Sequence, residues 1–388
     1  MATLTSLASK VRARFISICS LQFASCAFRR SGPRPSGRWL ALFGLLPAMA
    51  WSQAQMYTPG AFAVTETGAA AYSIPIQVPP GTSGMQPALS LNYNSQAGDG
   101  LMGTGWYLGG LSAVHRCPAT FLIDNFKGGI NYDANDRFCL DGARLIPVNG
   151  GANGANGTEY RTQNDSFARV ISYGAAGSGP AYFRAWTKSG QILDYGTTTA
   201  SAIEAVGKAS IRVWALQKAA DRVGNYFTVS YSEDGINGQY YPVRIDYTGN
   251  SGAGVTPYNS VQFTYEARLD VNPLYIGGSS VAYTSRISGI STYAGAALVK
   301  KYAFTYYPGG AIPPSQLTSL QECDPVNICF YTTFTWPSTL SGNQFTEIPA
   351  TAAGFTDAGG WNTGLRYFTM DVNGDARATS WRAMPPAT

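Results

Sequence analysis

A two-residue alternation of apolar and polar side chains recurs along most of the chain and constrains its fold more than any other feature. Short alternating runs, separated by Gly, Asn, Asp or Pro, occur at Tyr226–Tyr231, Tyr240–Tyr247, Val261–Tyr265 and Tyr302–Tyr307. Successive side chains of a β-strand point to opposite faces of a sheet, so this period predicts strands, and the residues between the runs predict tight turns. We therefore expect an all-β chain with a multi-stranded antiparallel sheet or sandwich.

Helical periodicity is hard to find, and Ala200–Lys208 is the best candidate for a helix. The chain contains 24 Tyr, 18 Phe and 8 Trp, whereas charged residues make up only 13%. Disordered chains have the opposite balance of charge and aromatic residues, so this composition predicts a folded protein with a buried core.

The first 54 residues have the pattern of a secretion signal. Their seven basic residues end at Arg38, the apolar run Trp39–Leu46 follows, and small residues at Ala48–Ala50 and Ser52–Ala54 offer two cleavage sites. A basic region, a short apolar region and a small-residue site together mark an exported chain. We expect residues 1–54 to be removed and the mature chain to be secreted, with the cell envelope as an alternative. A bilayer-spanning helix needs about 20 apolar residues, and no segment of the mature chain is that long and apolar.

The net charge of +5 depends on this signal. Without residues 1–54, 20 basic residues face 22 acidic ones, which gives a net charge of −2. The mature chain therefore lacks the global basic character that favours nucleic acid as a partner.

Four cysteines follow the signal: Cys117, Cys139, Cys323 and Cys329. In an exported chain they predict disulfides, and of the three possible pairings the spacing favours Cys117–Cys139 and Cys323–Cys329. Zinc is the alternative, but the chain has no C-x-x-C motif and its only histidine is His115.

A glycine-rich stretch near the start of the mature chain could be mistaken for a phosphate-binding loop. It lacks the Lys-Ser/Thr of a P-loop, and no strand–helix–strand pattern surrounds it as a dinucleotide site requires. We interpret it as a set of tight structural turns, with these candidate residues: Gly81, Gly100, Gly103, Gly105 and Trp106.

The stretch Gly60–Arg116, with its strand, Pro-Pro-Gly turn, second strand and Gly-rich turn at Trp106, resembles the N-terminal domain of the SpvB family. That domain is shared with the B component of insecticidal toxin complexes. Asp136–Gly142, Trp186–Gly190 and Leu320–Cys323 agree with the same pattern, so the resemblance covers about residues 60–340. Asp221–Asn225 is also similar to the repeats of RHS-type toxins.

The resemblance implies that residues 55–345 form a β-rich domain of an RHS-like shell that encloses or delivers a toxic segment. It implies a non-catalytic structural module, with other toxin-complex or RHS-type toxin components as partners. It also allows a location in the host cytoplasm after delivery.

In that family a propeller of FG-GAP/VCBS-like repeats often follows, and residues 346–388 are similar to the start of one. The run Met370–Trp381 supplies side-chain oxygens at Asp371, Asn373 and Asp375, as calcium loops do. Ala376 replaces the usual glycine and Thr379 the closing acid, so we expect weak calcium binding or none. A single repeat cannot close a propeller ring, so a truncated product or a partner encoded downstream is expected.

No catalytic constellation is apparent in the sequence, and we expect no enzyme activity. The glutamates are scattered at Glu66, Glu159, Glu204, Glu233, Glu266, Glu322 and Glu347. A glycosidase-like enzyme is one alternative function, and it would need two close carboxylates in a cleft. A cell-surface adhesion or carbohydrate-binding module is the other, and it would need a solvent-facing row of Trp186, Trp214 and Trp361.

Overall fold

The computed structural model describes residues 58–307 and 314–336, and the backbone of the strands Tyr367–Met370 and Thr379–Arg382. This part of the chain is built almost entirely from antiparallel strands, which confirms the all-β prediction. Its helical segments are one turn of α-helix, α1 (Phe121–Asp124), and the 3₁₀ turns Thr82–Gly84 and Thr199–Ser201. No helix within it has the length and apolar character to cross a bilayer.

Six short strands form the N-terminal part: β1 (Ala61–Val64), β2 (Ala70–Pro75), β3 (Ser90–Asn94), β4 (Asp99–Gly100), β5 (Gly103–Thr104) and β6 (Trp106–Gly109). β1, β2, β3 and β6 make a four-stranded sheet in that order, and β4 pairs with β5 in a separate small hairpin. The hairpin lies inside the glycine-rich stretch, which therefore turns twice within a few residues.

The next strands are β7 (Ala113–Cys117), β8 (Arg137–Leu140), β9 (Ala143–Pro147), β10 (Glu159–Thr162), β11 (Arg169–Tyr173), β12 (Tyr182–Trp186), β13 (Ile192–Tyr195), β14 (Ala202–Glu204) and β15 (Ile211–Ala220). β7 to β13 pair with their chain neighbours, and β15 pairs with both β7 and β13.

These two pairings close eight strands into a barrel-like sheet. Leu216 N donates to Ser112 O at 3.1 Å, and Ala215 O accepts from Gly196 N at 3.0 Å. The C=O and N–H of one trans peptide point in opposite directions, so β7 and β13 lie on opposite edges of β15. The sheet therefore closes on itself through β15.

A long meander continues from the barrel: β16 (Asn225–Asp234), β17 (Gln239–Asn250), β18 (Asn259–Ala267), β19 (Leu274–Ile276), β20 (Ser279–Val281), β21 (Ser285–Ala294), β22 (Ala297–Tyr307), β23 (Gln316–Cys323) and β24 (Cys329–Thr333). Its strand order is β15-β16-β17-β18-β21-β22-β23-β24, and β19 and β20 form a separate hairpin. In β22 the side chains of Tyr302, Phe304 and Tyr306 are buried while Thr305 and Tyr307 are exposed, which is the predicted alternation.

One hydrophobic core runs through the N-terminal sheet, the barrel and the meander. The Pro-Pro-Gly segment crosses the meander, where the Tyr302 hydroxyl accepts from Gln77 N at 2.9 Å and the Tyr247 hydroxyl donates to Pro79 O at 2.9 Å. The segment after β2 is thus held to the meander by tyrosines of β22 and β17, whose hydroxyls each have a hydrogen-bond partner.

The helix predicted over Ala200–Lys208 is wrong. This segment is the 3₁₀ turn Thr199–Ser201 followed by β14, in which Ile203 is fully buried and pairs with Val213. Gly207, with φ of +74°, then turns the chain towards β15. A weak local helical pattern is overridden because Ile203 gains burial and strand pairing only when the segment is extended.

Near the C-terminus, β25 (Tyr367–Met370) pairs antiparallel with β26 (Thr379–Arg382). The predicted signal over residues 1–54 and the domain boundary at residue 345 lie outside the described residues.

Candidate functional site

The predicted glycine turn lies between the N-terminal sheet, the residues just before β23 and the residues just after β24. Gly103 and Gly105 have φ of +80° and +75°, a conformation that other residues adopt only with strain. A Cβ on Gly103 would lie 2.5 Å from Ser315 O, and one on Gly105 would lie 2.6 Å from Cε2 of Tyr93. The turn therefore needs glycine at both positions, for backbone conformation and for close approach.

Trp106 anchors the end of this turn in the core and is 3% exposed. Its ring lies 5.4 Å from that of Tyr93 and 4.8 Å from that of Phe334, centroid to centroid. Gly81 is also crowded, because a Cβ there would lie 2.2 Å from Met85 O. Gly100 is not crowded in this way: a Cβ there would make an ordinary 3.5 Å contact with Trp106 O.

A buried ionic network holds the turn against the meander. Both Arg268 and Asp270 have fully buried side chains, and Arg268 Nη2 and Nε donate to the two Asp270 oxygens at 2.7 and 3.1 Å. Arg268 also donates to Gly100 O at 2.7 Å and forms an ion pair with Asp99, which bind it to β4. Ser315 completes the network by donating its N–H and hydroxyl to Asp270.

The protonation of this network follows from its hydrogen bonds. Burial raises the pKa of the Asp270 carboxyl, but the hydrogen bonds from Arg268 and Ser315 lower it by more than burial raises it. The pKa therefore lies well below its ordinary value. Asp270 therefore stays ionised and neutralises Arg268. The donors and acceptors of this network bond to one another, so its role is structural: it holds the glycine turn to the meander.

The structure contains both disulfides that the sequence spacing favours. Cys117–Cys139 joins β7 to β8, and Cys323–Cys329 joins β23 to β24 with a Cα–Cα distance of 4.0 Å. His115 is the register partner of Cys139. A ring nitrogen of His115 and the sulfurs of Cys117 and Cys139 lie within 4.8 Å of one another, which is close enough for the three residues to bind one metal ion. Zinc would need thiolates from both cysteines, so it competes directly with this disulfide.

Peptide mapping of the exported chain without reduction is expected to find Cys323 linked to Cys329. The double change Cys323→Ser, Cys329→Ser should lower the free energy of unfolding by about 2 kcal/mol, because it reopens a short loop in the unfolded chain. Chemical denaturation measures this, with Thr333→Ser on the same edge strand as the control. Four free thiols in exported protein would contradict the prediction.

An open cleft of about 460 Å³ lies outside the barrel wall, beside the first disulfide. Its lining includes His115, Arg212, Val213, Tyr240, Ile130 and Ile276. Burial lowers the pKa of the His115 imidazole; the charge of Asp141 raises it, and that of Arg212 lowers it further. His115 is therefore predominantly neutral near pH 7. Arg116 also lines the cleft but is paired with Asp136, so Arg212 supplies the unpaired positive charge of the cleft.

The sequence analysis did not select Arg212, Arg268 or Asp270. The signal for Arg212 was its position in the apolar run Ile211–Leu216, where a lone charged residue is unusual. Arg268 and Asp270 stand two residues apart in a loop, and nothing in that spacing shows that both side chains are buried.

The tryptophan row required for carbohydrate binding is interrupted. Trp214 is fully buried in the barrel, whereas Trp186 is half-buried and covered by Arg169, whose guanidinium carbon lies 5.1 Å from its ring centroid. Trp361 lies outside the described residues. Because one of the three rings is in the core, these residues do not form a solvent-facing sugar platform.

Several of the scattered glutamates are held in ion pairs: Glu159 with Arg161 and Arg169, Glu266 with Arg286, and Glu322 with Lys300. Glu233 lies near Glu204; burial raises the pKa of the Glu233 carboxyl, and the charge of Glu204 raises it further. Neither of these two lines the cleft beside Arg212. The candidate calcium ligands Asp371, Asn373 and Asp375 lie outside the described residues, so calcium binding stays a prediction.

Residues 64–244 match the family model described as "SpvB: Salmonella virulence plasmid 65kDa B protein". This match runs from the end of β1 to the middle of β17 and covers a little under half of the chain. It confirms the resemblance to that family for this region, whereas the FG-GAP/VCBS-like repeat stays a prediction. Among curated proteins, no relative matches the chain.

Solved structures share the fold over a longer region. The crystal structure of TcdB2-TccC3 matches with a TM-score of 0.57 and 18% identity, covering 72% of this chain and 17% of that one. A Tc holotoxin pore from Photorhabdus luminescens matches with a TM-score of 0.57 and 18% identity, covering 73% and 17%. The N-terminal domain of the effector SpvB from Salmonella typhimurium strain LT2 matches with a TM-score of 0.53 and 19% identity, covering 65% and 98%. The chain thus spans a small part of the toxin-complex chains and nearly all of the SpvB domain structure.

Proposed function

We propose that this chain is a non-catalytic structural module of a secreted toxin-complex or RHS-type toxin, and that it helps to form the shell around a toxic segment. The observation that carries the proposal is the continuity of its main sheet. β15 belongs both to the barrel and to the meander, so one hydrogen-bonded sheet runs from β7 to β24. The shared fold with TcdB2-TccC3, of which it covers 17%, supports a part within a larger assembly.

The sheet ends at β24, whose outer edge has no strand partner among the described residues. Residues of an antiparallel pair alternate between bonding to the neighbour and pointing away. Phe334 N donates to Thr318 O of β23 at 2.8 Å, so the backbone of Thr332, two residues earlier, also bonds to β23. The N–H of Tyr331, which lies between them in the alternation, therefore points away from β23. An open edge of this kind is a template for another strand, and a shell can be continued there.

Internal charge pairing also favours a structural role. The buried cations Arg116 and Arg268 are neutralised by Asp136 and Asp270, whose carboxylates accept further hydrogen bonds from the fold itself. Catalytic carboxylates need to reach a substrate, whereas these are enclosed by their partners. The two disulfides agree with export, because such bonds persist in oxidising compartments.

The proposal is tested by co-expressing the exported chain with toxin-complex or RHS-type toxin components from the same source and measuring assembly by size-exclusion chromatography. We expect a complex that protects β24 from protease. Tyr331→Pro removes an outward N–H while keeping the bonds to β23, so it should weaken assembly strongly. Tyr331→Val is the matched control, because it removes the same side chain but keeps the N–H.

A chain that stays monomeric beside these toxin components would contradict the shell role. Equal assembly of the Pro and Val variants would show that the β24 edge is not the point of extension.

A further inference from the structure

We infer that the cleft beside β7 and β15 is a binding site for a carboxylate, with the guanidinium of Arg212 as its main donor. Arg212 is only 9% exposed, and in the described part of the chain no carboxylate forms an ion pair with it. Its Nη2 donates to Gly238 O, whereas Nε is buried without an acceptor. Arginine is rarely buried without a partner because desolvating an unpaired charge is costly, so the site is complete only with an anion.

A β-bulge places Arg212 at this position. Along β14 and β15, Ile203 pairs with Val213 but Glu204 pairs with Ile211, so Arg212 is the additional residue without a partner on β14. A bulge turns a side chain out of the normal alternation and is common beside binding sites. Without it, Arg212 would share the barrel-facing side of β15 with Trp214, because side chains two residues apart point to the same face.

The carboxylates of Asp136 and Asp141, which lie near Tyr132 and Tyr240 beside Arg212, already accept hydrogen bonds from other donors. Asp136 accepts from Arg116 Nη1 at 2.9 Å and from the backbone of Tyr132 at 2.8 Å. Asp141 accepts from the Ser112 hydroxyl at 2.6 Å and from Ala113 N at 2.9 Å. The anion for Arg212 must therefore come from outside this set of residues.

The lining indicates the class of ligand. Arg116 also lines the cleft, but its charge is neutralised by Asp136. Arg212 therefore supplies a single unpaired positive charge, which suits a monoanionic carboxylate better than phosphate, and a planar carboxylate matches its N–H geometry. Tyr240 adds a hydroxyl to which no described residue forms a hydrogen bond, while Val213, Ile130 and Ile276 offer apolar walls. The expected ligand is a carboxylate on an apolar body, from either a small molecule or an acidic side chain of a polypeptide. This inference does not depend on the proposed shell role.

The test is isothermal titration of the exported chain with phenylacetate, its neutral analogue phenylacetamide, and inorganic phosphate. We expect phenylacetate to bind and the other two to bind at least about tenfold more weakly. Phenylacetamide lacks the charge-assisted hydrogen bond to Arg212, and phosphate lacks the apolar body. Arg212→Met should weaken phenylacetate by about tenfold or more without lowering the stability of the unliganded chain. Arg244→Met, an exposed arginine on β17, is the matched control and should bind as wild type does.

The source of the carboxylate is distinguished by an acetylated Leu-Glu-Leu amide peptide and its Gln counterpart. Tighter binding of the Glu peptide than of phenylacetate assigns the site to a polypeptide side chain, and the reverse assigns it to a small molecule. If Arg212→Met fails to fold, Tyr240→Phe should still weaken phenylacetate by about threefold. Equal binding of phenylacetate and phenylacetamide, equal binding of phosphate, or full binding by Arg212→Met would overturn the inference.

Discussion

Replacing Asp270 with Asn is expected to lower the free energy of unfolding by about 3 kcal/mol, as measured by chemical denaturation at pH 7. The change keeps the shape of the side chain but leaves Arg268, whose side chain is fully buried, without its main counter-charge. The new amide also directs an N–H at the guanidinium. The loss stays at the lower end of the range for a broken buried pair because Asp99 still contacts Arg268.

Asp246→Asn is the matched control, because Asp246 pairs with Arg244 at 2.7 Å on the exposed face of the meander. We expect this change to cost less than about 1 kcal/mol. Similar losses for both variants would mean that the network around Asp270 does not join the glycine turn to the meander.

The same pair predicts a dependence on pH. The folded-state pKa of Asp270 is depressed by its donors, so its contribution to stability is present above the ordinary carboxyl pKa of about 4 and is lost as the pH falls below it. The difference in unfolding free energy between wild type and Asp270→Asn should therefore narrow on acidification from pH 7 to about pH 3. A difference that stays constant over this interval would show that Asp270 has no depressed pKa.

Trp214→Ala is expected to destabilise the chain by about 3–5 kcal/mol. Trp214 is fully buried, and its ring meets those of Phe138 and Phe183 at centroid distances of 5.5 and 5.0 Å. Its Nε1 donates to Pro180 O at 3.1 Å. Truncation leaves both a cavity in the barrel and a buried carbonyl without its donor.

Trp186→Ala is the matched control for this change, since Trp186 lies half-buried on the same barrel under Arg169. We expect a loss of about 1 kcal/mol, the scale of an exposed cation–π contact with some packing. Thermal unfolding of both variants separates a core tryptophan from a surface one. A mild effect of Trp214→Ala would contradict its role as the centre of the barrel.

Local rules explain what the sequence alone could predict. Strands such as β16 to β18 were predicted because side-chain alternation is a property of the strand itself. The bond between Cys323 and Cys329 was favoured by their short spacing, and the structure shows that these two residues are partners across the β23–β24 pair. The glycines at 103 and 105 have the positive φ that tight turns demand.

Tertiary structure decided the rest, because it depends on residues far apart in the chain. Closure of the barrel requires β13 and β7 to meet opposite edges of β15, and no local pattern encodes that choice. The burial of Arg268 is set by Asp99 and Gly100, more than 160 residues away. Arg212 becomes an unpaired cation in a cleft only because a bulge in the β14–β15 pair turns it there, so its role follows from strand register, which an isolated sequence does not specify.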